Sequence, residues 1–195
     1  LRKYVLILFL STLFNCLHAQ ELGIKLGSSF IKNNSTINKP ANIGIYYNEK
    51  ISDKINISTT YLHSIKKQEN AEIDFQTNFK GHNIFIDFLY DVNIKNNFYI
   101  KFGLGSGYSA YNITNQGIIS NWINFIEYHY IPARLILGFE YKNILDSPIS
   151  CEILATPSYM FNIYQKTDAI MLSNNTNDLK ILNLILGIKY TFKQI

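Results

Sequence analysis

The chain has 195 residues, which suits one domain, and a formal charge of +4 with only 16% charged residues, against roughly a quarter in soluble domains. No run of lysine or arginine marks a patch, so a nucleic-acid partner is excluded. No apolar run reaches the roughly 20 residues of a spanning helix, yet 47% of residues are hydrophobic and 14% aromatic, the balance of a barrel in which only alternate residues must be apolar.

Residues 1–19 have the layout of a secretory signal peptide. Arg2 and Lys3 form a short positive region, 4–14 is an apolar stretch too short to span, and Leu17-His18-Ala19 precedes Gln20. Cleavage there removes Cys16 and leaves Cys151 as one thiol without an internal disulfide. A buried N-terminal helix, or a lipoprotein box at Leu13-Phe14-Asn15-Cys16, is the alternative; Asn15 stands where such a box wants a small residue.

Beyond the leader, eight stretches alternate: 21–31, 41–51, 54–66, 80–92, 97–112, 127–142, 149–163 and 180–192. β-Branched and aromatic residues dominate them, which predicts strands. The connections 32–40, 67–78, 113–126 and 164–179 are long and polar; 52–53, 93–96 and 143–148 are short. Long and short alternate, so all long connections fall at one end and both termini at the other. Outer-membrane barrels have this form, with brief periplasmic turns and long outer loops. The expected fold is all-β: an eight-stranded antiparallel up-and-down transmembrane β-barrel over residues 20–195.

Side chains alternate between the two faces of a strand. Lys25, Asp87, Asp91, Lys101, Arg134, Glu140, Glu152 and Lys189 each oppose in parity the apolar set of their own strand, such as Ile84/Ile86/Phe88/Tyr90 or Ala133/Leu135/Leu137/Phe139. A lipid-facing Lys or Arg at the midplane costs about 2–4 kcal/mol, and several would exceed a typical stability of about 5–15 kcal/mol. In a membrane barrel the eight must point inward. The expectation is a lumenal ion network that plugs the barrel, because eight strands leave room for little beyond side chains. Asp91 and Lys101 flank one turn, and Glu152 and Lys189 fall at similar height on adjacent strands. A soluble lipocalin-like barrel that binds an apolar ligand would invert the two faces; leader, loop alternation and last strand favour the membrane.

No catalytic, cofactor-binding or metal-binding set emerges. Gly103-Leu104-Gly105-Ser106-Gly107 lacks the spacing of a phosphate loop and opens no helix; its glycines share the lumen parity of Lys101 and make room in a narrow barrel. His63, His82 and His129 show no metal-ligand spacing. Glu127 and His129 share a face near the outer edge, and Ser120 precedes them, which leaves a lipid A-modifying enzyme as a further alternative. Cys151 has the parity of Ile149 and Ile153 and should face lipid. Tyr46, Tyr47, Tyr61, Tyr90, Tyr108, Tyr128, Tyr130, Tyr141, Tyr159 and Tyr190 cluster toward strand ends, as in aromatic girdles. Trp122 with Ile118, Ile119, Ile123 and Phe125 forms an apolar cluster expected to fold over the mouth or extend the strands.

The last strand, 182–192, places Leu182, Leu184, Leu186, Ile188, Tyr190 and Phe192 on one face. It resembles the closing strand of bacterial outer-membrane barrels, which ends in an aromatic residue read by the assembly machinery; Tyr190 and Phe192 would be that signal, although Lys193-Gln194-Ile195 follow. The leader ending in Ala-Gln, the glycine-alternating 99–108, Ile131-Pro132-Ala133-Arg134-Leu135 and the Leu-Gly-Ile-Lys-Tyr-Thr-Phe ending together resemble the small porin-family outer-membrane β-barrel domain proteins called PorT-like. That resemblance implies a Gram-negative outer membrane. Outer-membrane lipid and the barrel assembly machinery follow as partners, with an extracellular or secretion-system protein as a candidate. The function expected is structural or interactive, with the outer loops as contact surface.

Overall fold

A computed structural model describes residues 21–32, 39–70, 75–117, 123–167 and 178–192. The leader with Cys16, the loop residues Ile118, Ile119, Ser120 and Trp122, and Lys193-Gln194-Ile195 lie outside the described residues. Eight strands form: β1 (Glu21–Ile31), β2 (Ala41–Lys50), β3 (Ile55–Asn70), β4 (Phe75–Lys95), β5 (Phe98–Gln116), β6 (Ile123–Tyr141), β7 (Ile149–Thr167) and β8 (Leu179–Thr191). Each pairs antiparallel with the next, and β8 returns to β1 from Glu21↔Thr191 to Ile31↔Ile181, closing the ring. Among the described residues, no helix is long and apolar enough to cross a membrane.

The turns at one end are tight. Ile51 and Ser52 donate backbone N–H groups to the Ile55 carbonyl, and the turn into β5 puts Asn96 at φ 52°, a left-handed conformation that asparagine tolerates. At the opposite end β3 to β6 run further than expected. Much of 67–78 and 113–126 is ladder, from Lys67↔Asn78 to Asn70↔Phe75 and from Asn112↔Glu127 to Gln116↔Ile123. The outward side chains there meet water, so their polarity reads as loop, while Phe79, Tyr111, Ile113 and Ile126 continue the filled interior.

The burial pattern alternates along every strand, and it is the charged face that is buried. Lys25, Asp87, Asp91, Lys101, Arg134, Glu140, Glu152 and Lys189 are all within 4% of complete burial. Ile45, Phe88, Leu104, Phe139 and Ile153 are more than half exposed. In β8, Leu182, Leu184, Leu186 and Ile188 point outward while Ile181, Ile185 and Lys189 point in. Continuous exposed aliphatic surface on all sides is stable only against hydrocarbon. A lipocalin-like arrangement, with leucines lining a cavity, is thereby corrected.

The interior is stacked in layers. Six of the eight charges crowd toward the end with the short turns. Leu62, Phe85, Leu89, Ile136, Leu154 and Ile185 form an apolar layer beyond them, and Asp87 and Arg134 are set into it, Asp87 between Leu89 and Phe85 on β4 and Arg134 past Ile136 on β6. A second apolar cluster, including Ile31, Phe79, Tyr111, Tyr130 and Met160, fills the end with the long hairpins. Tyr46, Tyr128 and Tyr130 belong on the lumen side, not in the girdles: Tyr46 and Tyr130 are 1% exposed and Tyr128 packs on the outer cluster. Their parity matches Asn42, Asn48 and Arg134; proximity to a strand end was the weaker signal.

Candidate functional site

Six of the buried charges sit beside a glycine on an adjacent strand: Lys25 beside Gly44 and Gly187, Asp87 and Arg134 beside Gly105, Lys101 beside Gly138, Glu152 beside Gly187, and Lys189 beside Gly23. An eight-stranded lumen leaves room for little beyond side chains. The missing side chain is what lets the charged one lie across the axis.

Lys101 Nζ is 2.8 Å from Glu140 Oε2 and 3.0 Å from Glu152 Oε2, with no exposed side-chain surface. Glu140 also holds Lys189 at 2.7 Å, and Glu152 lies 3.7 Å from Lys25. Lys25 donates to Thr60 Oγ1 at 3.1 Å and sits 4.0 Å over the Tyr46 ring. Arg134 stands apart, 3.6 Å from Asp87 and stacked 3.6 Å over Phe85. The expected neighbours are not always the partners. Asp91 lies across the ladder from Lys101 but binds Lys142 at 3.2 Å and Asn56 at 3.0 Å. Lys189 binds Glu140 and Glu21, leaving Glu152 to Lys101 and Lys25.

Two ionic members went unnamed in sequence: Glu21 and Lys142. Glu21 shares the parity of Lys25 on β1, and Lys142, one residue past β6, shares that of Glu140; that was the available signal. Burial by itself would lower the Lys142 ammonium, but attraction to Glu140 and Asp91 outweighs it and holds the group above the ordinary lysine value. Above the charges, hydroxyls and amides link five strands across the seam. Ser29 donates to Asn183 at 2.5 Å, Asn42 to Ser29 at 2.7 Å, Ser64 to Asn42 at 2.7 Å, and Asn83 to Ser64 at 3.1 Å.

The described histidines, His63, His82 and His129, face outward near the end with the long hairpins. His63 and His82 are cross-strand neighbours with ring centroids 4.7 Å apart, and Tyr61 hydrogen-bonds His82 at 2.8 Å. The Tyr108 hydroxyl meets His129 Nδ1 while Glu127 holds Nε2 at 2.9 Å. Both ring nitrogens of His129 are thus engaged. Among the described residues no group of three or more His, Cys, Asp and Glu is placed to hold a metal ion. Cys151 is half-buried on the outward parity of Ile149 and Ile153.

A closed ring, an outward aliphatic belt and an inward ionic face define a transmembrane β-barrel of the outer-membrane kind. The chain is similar in structure to Neisserial surface protein A (NspA), with a TM-score of 0.59 and 14% identity over 88% of this chain and 96% of that one. It is similar to Ail, the attachment invasion locus protein of Yersinia pestis, with a TM-score of 0.55 and 11% identity over 88% and 95%. A major outer membrane protein from Thermus thermophilus matches with a TM-score of 0.61 and 12% identity over 90% and 100%. No protein-family model matches the chain, and neither does any curated protein.

Proposed function

We propose that the protein is a closed, non-conducting outer-membrane barrel whose long hairpins form a contact surface. The observation that carries this is Lys101, wholly enclosed between Glu140 and Glu152. A hydrated path along the axis would have to displace those ion pairs and then cross two apolar layers. The eight predicted lumen residues act together as a plug. Recording from the purified full chain in planar bilayers should give no stable conductance steps. Large, persistent steps would overturn the plug.

The contact role is supported by the hairpins β3–β4 and β5–β6, which extend as paired sheet to Asn70↔Phe75 and Gln116↔Ile123. Rigid extensions present side chains at less entropic cost than loose loops. Ail is an attachment invasion locus protein, and a role of that kind, with an extracellular or secretion-system protein as partner, fits these hairpins. A photo-crosslinking residue at Gln68 or Gln116 should capture a protein on intact cells, and one at Ser147 in a short turn should not. Capture of lipid alone from both ends would sink the contact role.

The finer family reading is PorT-like, on Ile131-Pro132 and the closing strand, with residues 1–19 as the cleaved leader. Tyr190 and Phe192 serve as the signal for the assembly machinery. The role needs no catalysis or cofactor. Unchanged lipid A acylation in a deletion strain is the expected result, and a change restored by wild type but not by His129→Ala would favour the enzyme instead.

A further inference from the structure

The lipid-facing wall carries a groove of about 790 Å³ near the outer end of β1, β6, β7 and β8. Its origin is local. Ala133 and Pro157 are short outward side chains among Leu135, Leu182 and Phe30, so the belt is thinned there. The ladder is also interrupted: β6–β7 pairing runs to Arg134↔Ser158 and resumes at Leu137↔Ala155, because Pro157 has no N–H to donate. On the other side of β6, the Pro132 carbonyl accepts from the Ser106 hydroxyl of β5 at 2.8 Å.

Lys32, Lys39 and Lys180 also line this groove, toward its long-hairpin end. Lys39 Nζ lies 5.7 Å over the Phe30 ring and Lys180 Nζ 5.9 Å over the Tyr159 ring. Girdle aromatics mark the headgroup level, so the ammonium groups stand where lipid headgroups begin. Among the described residues, none of the three lysines has a carboxylate at ion-pair distance, in contrast to the lumenal lysines. The neighbouring acid, Asp178, is engaged by the Tyr159 hydroxyl at 2.8 Å and the Asn162 N–H at 3.1 Å. Three cations against one anion leave the rim positive.

We propose that this groove binds a phosphorylated, multiply acylated glycolipid of the outer leaflet, of the lipid A class. One acyl chain lies along Ala133, Pro157 and Leu182, and a phosphate sits among Lys32, Lys39 and Lys180. An acyl chain gains no hydrophobic energy by leaving lipid for protein, so selectivity rests on the phosphate contacts and on the fit of the chain to the thinned wall. The inference rests on the long hairpins facing outward and is independent of the plug.

Native mass spectrometry of the full chain released from detergent would test it, with hexa-acyl bisphosphorylated lipid A, the same lipid without phosphates, and phosphatidylglycerol as probes. Bisphosphorylated lipid A should be retained at least tenfold more strongly than the other two. The triple variant K32A/K39A/K180A, changed only at exposed positions, should lose that preference, and Ala133→Phe should lower retention by filling the groove. Heat-modifiable migration on gels verifies that each variant is folded. Equal retention of the dephosphorylated lipid or of phosphatidylglycerol would overturn the proposal. So would undiminished retention by the triple variant.

Discussion

Gly105 on β5 stands directly across the ladder from Asp87 on β4, and a Cβ placed on it would fall 1.9 Å from Asp87 Oδ1 and 3.0 Å from the Ile86 carbonyl oxygen. The carboxylate occupies the space that any other residue would fill, and from there it faces Arg134. Glu152 repeats the relationship with Gly187, whose added Cβ would meet Glu152 Cγ at 2.7 Å. At Gly105 and Gly187 the absent side chain marks where a buried carboxylate lies.

Gly105→Ala should destabilise the barrel by roughly 1–3 kcal/mol, the usual range for overpacking a filled interior. The midpoint of urea unfolding, followed by the gel mobility of folded and unfolded forms, reads the change. Combining it with Asp87→Ala should give a non-additive result, since the two residues share one space. An additive pair would show that the close approach is not what Gly105 provides.

Lys101→Met removes the cation between Glu140 and Glu152. Two buried carboxylates then face one another without it, and loss of one partner of a buried pair typically costs about 3–5 kcal/mol. The same unfolding assay should register a loss of that size. Lys101→Met with Glu140→Gln should recover part of it, because one buried negative charge is removed with its partner. A single variant as stable as wild type would mean that water reaches the network.

Lys142 lies past the end of β6 and bridges Asp91 and Glu140 at 3.2 and 4.0 Å. Its folded-state pKa is raised, so its contribution is complete below the unfolded lysine value of about 10.4 and is lost as pH rises through the higher folded value. The deficit of Lys142→Met, about 1 kcal/mol for a partly exposed pair, should be constant between about pH 6 and 9 and shrink only in strong alkali. A deficit that disappears near neutrality would show that the lysine does not carry the interaction.

Phe192 packs edge-on to Tyr190, with ring centroids 5.1 Å apart. Tyr190 lies beside Leu22 across the seam and beside Ile149 on β7. Phe192→Ala should lower the fraction of heat-modifiable barrel in membranes of expressing cells, while the purified, refolded variant keeps its urea midpoint within about 1 kcal/mol of wild type. Loss of equilibrium stability without an assembly defect would instead assign the ring to packing.

Much of the barrel was legible in the residues. A strand alternates faces with period two, so a charged residue within a strand was enough to sort its faces, as Asp87 and Asp91 set Ile84, Ile86 and Phe88 apart on β4. What parity cannot supply is the level at which two strands meet. Asp91 and Lys101 share a turn, yet Asp91 turns to Lys142; Glu152 and Lys189 are on adjacent strands, yet each binds elsewhere. The hairpin extensions were hidden for a similar reason: once β3 to β6 leave the bilayer, water replaces lipid outside, and it is inward residues such as Phe79, Tyr111, Ile113 and Ile126 that still betray the interior.

Alternation along each strand, the spacing of turns and the parity of the charges were settled by the amino-acid order, because they depend only on neighbours along the chain. The contacts of Lys101 with Glu140 and Glu152, and the placing of Lys25 beside Gly187 and Lys189 beside Gly23 across the seam, were decided by closure of the ring. Closure sets the stagger between strands far apart in sequence, and that stagger determines which charge reaches which.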